Sequence, residues 1–130
     1  MIDKYLMNLL KDNIKGVVWS RITTSLEDNS GVVYYEGGRE PSVYDDDSRY
    51  PSYMIYSESS DILKAESIAQ QTFNLLHKKS NFDVDVPIGN ITKQYKVQTI
   101  NAMEPIRVGI RDNGVAMYSV NIDVIMYPKK

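Results

Sequence analysis

Ile106, Val108 and Ile110 alternate with Arg107, Gly109 and Arg111, and Asp112-Asn113-Gly114 follows. Beyond it, Ala116, Tyr118, Val120, Ile122, Val124 and Met126 alternate with Met117, Ser119, Asn121 and Asp123. A period of two with one apolar face dictates a half-buried antiparallel ribbon. A two-residue Asn-Gly turn would put Val108 opposite Ser119 and split the apolar residues between faces. A loop of Asp112, Asn113 and Gly114 instead sets Arg111 opposite Val115 and Val108 opposite Tyr118, gathering the apolar side chains on one face. That loop is a type I turn plus a left-handed residue, and it predicts a positive φ at Gly114. At about 3.4 Å per residue, the last strand would run roughly 44 Å, so it must bend at a bulge or protrude as an edge that something covers.

A chain of 130 residues predicts a single domain spanning 1–130. The formal net charge of −2, with both signs dispersed, argues against a phosphate-neutralising patch. The absence of cysteine removes disulfides, thiolate metal sites and thiol nucleophiles. No apolar run approaches a membrane span and no signal peptide is apparent, so a soluble protein, intracellular when made, is expected. Ten tyrosines against two phenylalanines suit surfaces that are wet at one time and covered at another.

Ile2, Tyr5, Leu6, Leu9, Leu10 and Ile14 form a helical stripe over residues 2–15, with Gly16 placed to end it. Val17–Thr24 and Val32–Glu36 read as strands, rich in β-branched and aromatic residues. Gly37-Gly38 opens a long polar loop over 37–51, and Tyr53–Ser57 reads as a third strand. Ser59, Ser60 and Asp61 are cap candidates for a second helix. Its stripe is Ile62, Ala65, Ile68, Ala69, Thr72, Phe73, Leu75 and Leu76, with His77, Lys78 and Lys79 expected in its last turn. Asn81–Asn90 reads as irregular and Thr92–Thr99 as a strand before the terminal hairpin. The expectation is an α+β fold in the order α-β-β-β-α-β-β-β, a mostly antiparallel sheet of five to six strands with both helices on one face.

The residues offer little for catalysis. His77 is the sole histidine and lies at a helix end, which excludes imidazole metal sites and leaves any Ser-His-Asp system dependent on it. Asp45-Asp46-Asp47 lacks the alternating spacing and closing Glu of a calcium loop. Asp83 and Asp85 share a face without a partner marking them as an acid/base pair. Gly37-Gly38 lacks the Lys-Ser/Thr of a phosphate loop. Tyr34, Tyr35, Tyr53 and Tyr56 lack the basic flanks of a base-stacking sheet, so core or subunit contact is the preferred reading. No enzyme, cofactor or metal is expected.

The order of parts resembles a known family. It is carried by Arg49-Tyr50-Pro51-Ser52-Tyr53 leading into a strand, by Ala65, Ile68, Ala69 and Leu75-Leu76, and by Tyr95-Val97-Gln98. Met103-Glu104-Pro105, Asp112-Asn113-Gly114 and Tyr118-Ser119-Val120-Asn121 follow. Over about residues 50–127 the chain is similar to the tail-terminator, minor capsid proteins of long-tailed bacteriophages and prophages. The resemblance implies a non-catalytic homo-oligomer, usually a ring of six, at the head-proximal end of the virion's tail tube and assembled in the host cytoplasm. Such a ring ends tube polymerisation and offers the head-joining surface. Its partners would be the tail tube protein, a head-completion protein and the tape-measure protein, with DNA passing through without sequence-specific binding and no membrane involved. A head-completion or connector adaptor of the phage neck is the alternative, and a small nucleic-acid-binding module a more distant one. Candidate subunit or tube contacts are Tyr34, Tyr35, Tyr44, Tyr50, Ile125 and Tyr127. Arg39, Glu40, Asp45, Asp46, Asp47 and Arg49 mark a loop expected to face lumen or tube, its aspartates repelling DNA phosphates.

Overall fold

The computed structural model describes residues 2–20, 28–39 and 48–129. The chain runs α1 (Asp3–Asn13), β1 (Val18–Ser20), β2 (Ser30–Arg39), β3 (Tyr50–Ser59), α2 (Ile62–Leu76), β4 (Ser80–Ile88), β5 (Ile91–Ala102), β6 (Ile106–Ile110) and β7 (Ala116–Pro128). The fold is α+β, and its curled sheet is antiparallel apart from the short β1–β2 pair. Among the described residues, no helix is long and apolar enough to cross a membrane.

Among the described residues there are seven strands where five to six were expected. The additional one is β4, in the stretch that reads as irregular. Phe82, Val84 and Val86 turn to the core side while Asp83 and Asp85 turn out, and Ile88 pairs with Ile91 across Gly89-Asn90. Gly89 takes a φ of +60°, at the position where a tight hairpin favours glycine. Pro87 is tolerated because β4 is an edge strand, with no further ladder needing its missing N–H. The polar loop is also shorter than expected. Gly37, Gly38 and Arg39 pair with Ser52, Pro51 and Tyr50 as the end of β2. Gly38 has a φ of +157°, and a Cβ there would strike the Tyr50 carbonyl oxygen.

Both helices pack on the same side of the sheet. Ile2, Leu6, Leu10 and Ile14 of the α1 segment join Ala65, Ile68, Ala69 and Leu76 of α2 in one buried cluster with Tyr53, Ile55, Val97, Val120, Ile122 and Val124. The Ile2 N–H donates to the buried Tyr53 hydroxyl at 2.9 Å, and Tyr5 stacks on Phe82 with ring centroids 5.1 Å apart, which pins α1 to the sheet. Gly16, at φ +77°, lies just past the end of α1. Asp61 is the N-cap of α2, accepting from the Leu63 and Lys64 N–H groups at 3.0 and 3.4 Å.

α2 ends at Leu76, one turn earlier than its basic tail suggests. His77 is the C-cap, its Nδ1 accepting from the Ala102 N–H at 3.1 Å and its ring stacked on Phe73. Lys78 turns through a φ of +64° so that its N–H donates to the Ile100 carbonyl at 2.8 Å. The pull of β5 on this backbone outweighs the modest benefit of cations extending the helix. His77 therefore joins the helix end to the sheet.

The terminal hairpin has the expected loop. The Arg111 N–H donates to Val115 O at 2.9 Å, Gly114 N–H to Arg111 O at 2.8 Å, and Gly114 has a φ of +84°. The register then departs from expectation. Ile110 faces Ala116 and Gly109 faces Met117, but Val108 is bulged out and Arg107, not Val108, stands opposite Tyr118. The bulge shifts Ile106 to the side of Ser119, away from the helices, so the apolar residues of β6 do not share one face.

The fate of the last strand is also a correction. β7 neither bulges nor protrudes. One side is paired with β3 over Ala116–Asp123 and continued by Arg49, which exchanges backbone hydrogen bonds with Met126 at 2.7 and 3.0 Å. Its other side is shared by β6 at Ala116–Ser119 and β5 at Ile122–Pro128. The bulges fall in the partner strands, at Val108 and near Gln98, so the longest strand is the centre of the sheet.

Candidate assembly surface

With both helices on one side, the other side of the sheet is left to strand side chains. Across the middle they are mostly polar: Ser52, Asn101, Asn121 and Asp123, with Met54 and Ile125 partly buried among them. Asp123 accepts from the Ser52 hydroxyl at 2.6 Å. Tyr50, Ser52, Asn101, Asp123, Val124 and Ile125 line a shallow hollow of about 350 Å³ here. This face is less apolar than a sheet lacking one helical layer suggests. At one corner it is closed: Ser30 and Val32 are fully buried, and Glu58 is nearly so. Glu58 meets Arg111 at 3.1 Å and accepts from Ser30 Oγ at 3.3 Å, while Arg111 Nε donates to Met117 Sδ at 3.1 Å. The tip of the hairpin is thus latched onto the start of β2. A buried carboxylate needs such partners, since an unpaired one would cost several kcal/mol.

Besides Leu63 on α2 and the Ile88–Ile91 pair at the β4–β5 turn, a run of exposed apolar side chains lies along one strand. Ile106, Val108 and Ile110 of β6 are 50, 49 and 55% exposed, and Met103 just before them is comparably open. β6 pairs only with β7, so its second edge is unpaired among the described residues. Isolated exposed apolar residues are ordinary, whereas a contiguous apolar edge is a template for pairing.

The candidate contact residues are not brought together at one place. Tyr34 and Tyr35 are both exposed but leave β2 on opposite sides, Tyr34 beside Met54 on the helix-free side and Tyr35 beside Tyr53 on the helix side, with Tyr35 and Tyr53 ring centroids 5.4 Å apart. Tyr50 and Ile125 meet at the hollow, and Tyr127 lies further along β7, opposite Lys96. Arg39 pairs with Tyr50 as the last residue of β2, and Arg49 forms an isolated bridge with Met126 just before β3. Tyr44, Glu40, Asp45, Asp46 and Asp47 lie outside the described residues. Asp112, Asn113 and Gly114 form the predicted turn, with Asn113 Oδ1 accepting from Val115 N–H at 3.2 Å. Sequence reasoning missed β6 as an exposed edge, because its alternation is indistinguishable from that of a buried strand.

A family model described as bacteriophage tail terminator protein matches residues 12–128. The chain belongs to that family. The match includes β1 and β2, so it extends well before residue 50, where the sequence resemblance begins. No curated protein matches the chain. A tail terminator is a structural tail protein and a virion component. The arrangement of a one-sided sheet with an open apolar edge is to be read in that light: its chemistry is that of contact between proteins.

Proposed function

We propose that copies of this tail terminator form a closed ring, of six by the family resemblance, on the head-proximal end of the tail tube. The ring stops addition of tube subunits and presents a surface to the head-completion protein. The observation that carries this reading is the lopsided build: two helices on one side of the sheet, and an apolar edge at β6 that the described residues leave uncovered. Cyclic assembly uses different patches on the two flanks of each subunit, and rotation closes the set. The helix-free face supports a lining role. Among the described residues its side chains include Ser52, Asn101, Asn121, Asp123 and Asp85, and its lysines Lys96 and Lys129 lie beside Asp83, so positive charge there is paired rather than set in a stripe that would retain passing DNA.

The test is deletion of the gene from its phage, followed by imaging of the tails. Over-length tubes, corrected by the protein supplied in trans, are the expected result. Free tails of normal length beside heads that lose DNA would assign the chain to the neck as a connector adaptor instead.

A further inference from the structure

Four strands, β2-β3-β7-β6, form a continuous run whose two outer edges are, among the described residues, open at different heights. β1 pairs with β2 only at Ser30–Val32, so among the described residues Val33–Arg39 has an unpaired edge on one flank. Among the same described residues, β6 has an unpaired edge on the other. The two are diagonal. Ile106 stands in one row with Ser119, Tyr56 and Val32, and the middle of the open stretch of β2, Glu36, lies four residues further along. The remaining long edge is a poorer acceptor. β4 holds Pro87, and its exposed Asp83 is engaged by Lys129 at 2.6 Å.

Resting on the ring reading above, we infer that neighbouring copies join by antiparallel strand addition, β6 of one copy against the Val33–Arg39 edge of β2 in the next. Strand directions alternate along β2, β3, β7 and β6, so a following β2 is antiparallel to β6 as required. The chemistry is complementary. β6 presents exposed aliphatic side chains around Arg107, and β2 presents exposed Tyr34 and Tyr35 beside Glu36. Arg107 and Tyr35 share the helix side, while Ile106 and Tyr34 share the other. Gly37 and Gly38 carry no side chain to obstruct the approach.

The diagonal offset fits closure. Four residues at about 3.3 Å amount to about 13 Å along the strands, against about 19 Å for four strand spacings of about 4.8 Å. That ratio corresponds to a strand tilt of about 35°, at the lower end of the roughly 35–45° found when sheets close into barrels. An offset of zero would give untilted strands and an unfavourable closed wall. The bulges in β2 and β6, at Glu36 and Val108, are of the kind enriched at barrel rims.

The chain has no native cysteine, so introduced pairs report cleanly. Ile106→Cys combined with Tyr34→Cys or with Glu36→Cys in one chain, oxidised on assembled tails and in concentrated protein, should give a ladder of covalent oligomers up to the ring. Ile106→Cys alone should give none. In parallel, Arg107→Glu should lower ring yield about tenfold or more, and adding Glu36→Lys should restore most of it. Rings that form normally yet show no ladder and no response to charge reversal would overturn the edge contact and leave the ring reading standing. Dimers from Ile106→Cys alone, without ladders from the pairs, would replace it by a two-fold β6–β6 contact. Absence of any ring on tails would sink both.

Discussion

β6 and β7 are two arms of one hairpin with the same alternating pattern, and the sheet treats them oppositely. Ala116, Tyr118, Val120, Ile122, Val124 and Met126 of β7 are all buried, whereas Ile106, Val108 and Ile110 of β6 are about half exposed. The difference is position. β7 is flanked on both sides and covered by α2, while β6 is flanked, among the described residues, on one side and shifted by its bulge. An apolar period of two thus specifies a ribbon that can be covered, and says nothing about which molecule covers it. In β7 the cover is intramolecular; the proposal for β6 is a sister copy.

The sharpest way to break this contrast is truncation in each arm. Ile122→Ala should cost about 2–5 kcal/mol of unfolding free energy, because it empties a buried site at the centre of the sheet. Ile106→Ser should change it by no more than about 0.5 kcal/mol while impairing assembly. Denaturant titration of both variants gives the comparison directly, and similar losses would mean that β6 is covered within the monomer.

Tyr53→Phe should cost about 1–3 kcal/mol, since the Ile2 N–H loses its buried acceptor, and hydrogen exchange should quicken across α1. Burial raises the Tyr53 hydroxyl well above its ordinary value of 10.0. A group raised in the folded state contributes stability that is fully present below the unfolded value and lost as pH climbs past it. Melting temperature should therefore fall above about pH 10, and Tyr53→Phe should flatten that arm, with Tyr5, also raised by burial, supplying a remainder.

Gly31→Ala would drive a methyl group into the Trp19 ring, which lies over Gly31 across the β1–β2 pair. A loss of about 1–2 kcal/mol is expected, with a red shift in emission from the only tryptophan. The smallest effect belongs to Asp28. Its carboxylate accepts from the Ser60 hydroxyl and N–H at 2.6 and 2.9 Å, which holds its pKa below the usual range. A depressed carboxylate contributes stability above the unfolded value and loses it as pH falls through the folded one. Asp28→Asn should therefore slightly lower stability at neutral pH, flatten its acid-side slope and leave stability below the folded value nearly unchanged.

Several elements were legible from local pattern. The α1 stripe, the Asp61 cap, the Gly114 turn and the buried row of β7 all follow from periodicity or turn chemistry within a few residues. β4 was legible as well, in Phe82, Val84 and Val86 against Asp83 and Asp85 before Gly89-Asn90, but Pro87 and the flanking asparagines mask it as irregular. The end of α2 was not legible, since His77 and Lys78 leave the helix to bond with Ala102 and Ile100, residues more than twenty positions away. Nor was the Val108 bulge, which is set by how β6 and β5 share one side of β7.

The amino-acid order alone determined an α+β chain with two amphipathic helices and a three-residue hairpin loop, because these depend on side-chain periods and on glycine's access to positive φ, while the tail-terminator resemblance rests on the order of the motifs between Arg49 and Asn121. The fold decided which strand stands at the centre and which at the edge, where Val32 and Glu58 are covered, and how far the open edges are offset. Those are sums over contacts between distant segments, and no local pattern contains them.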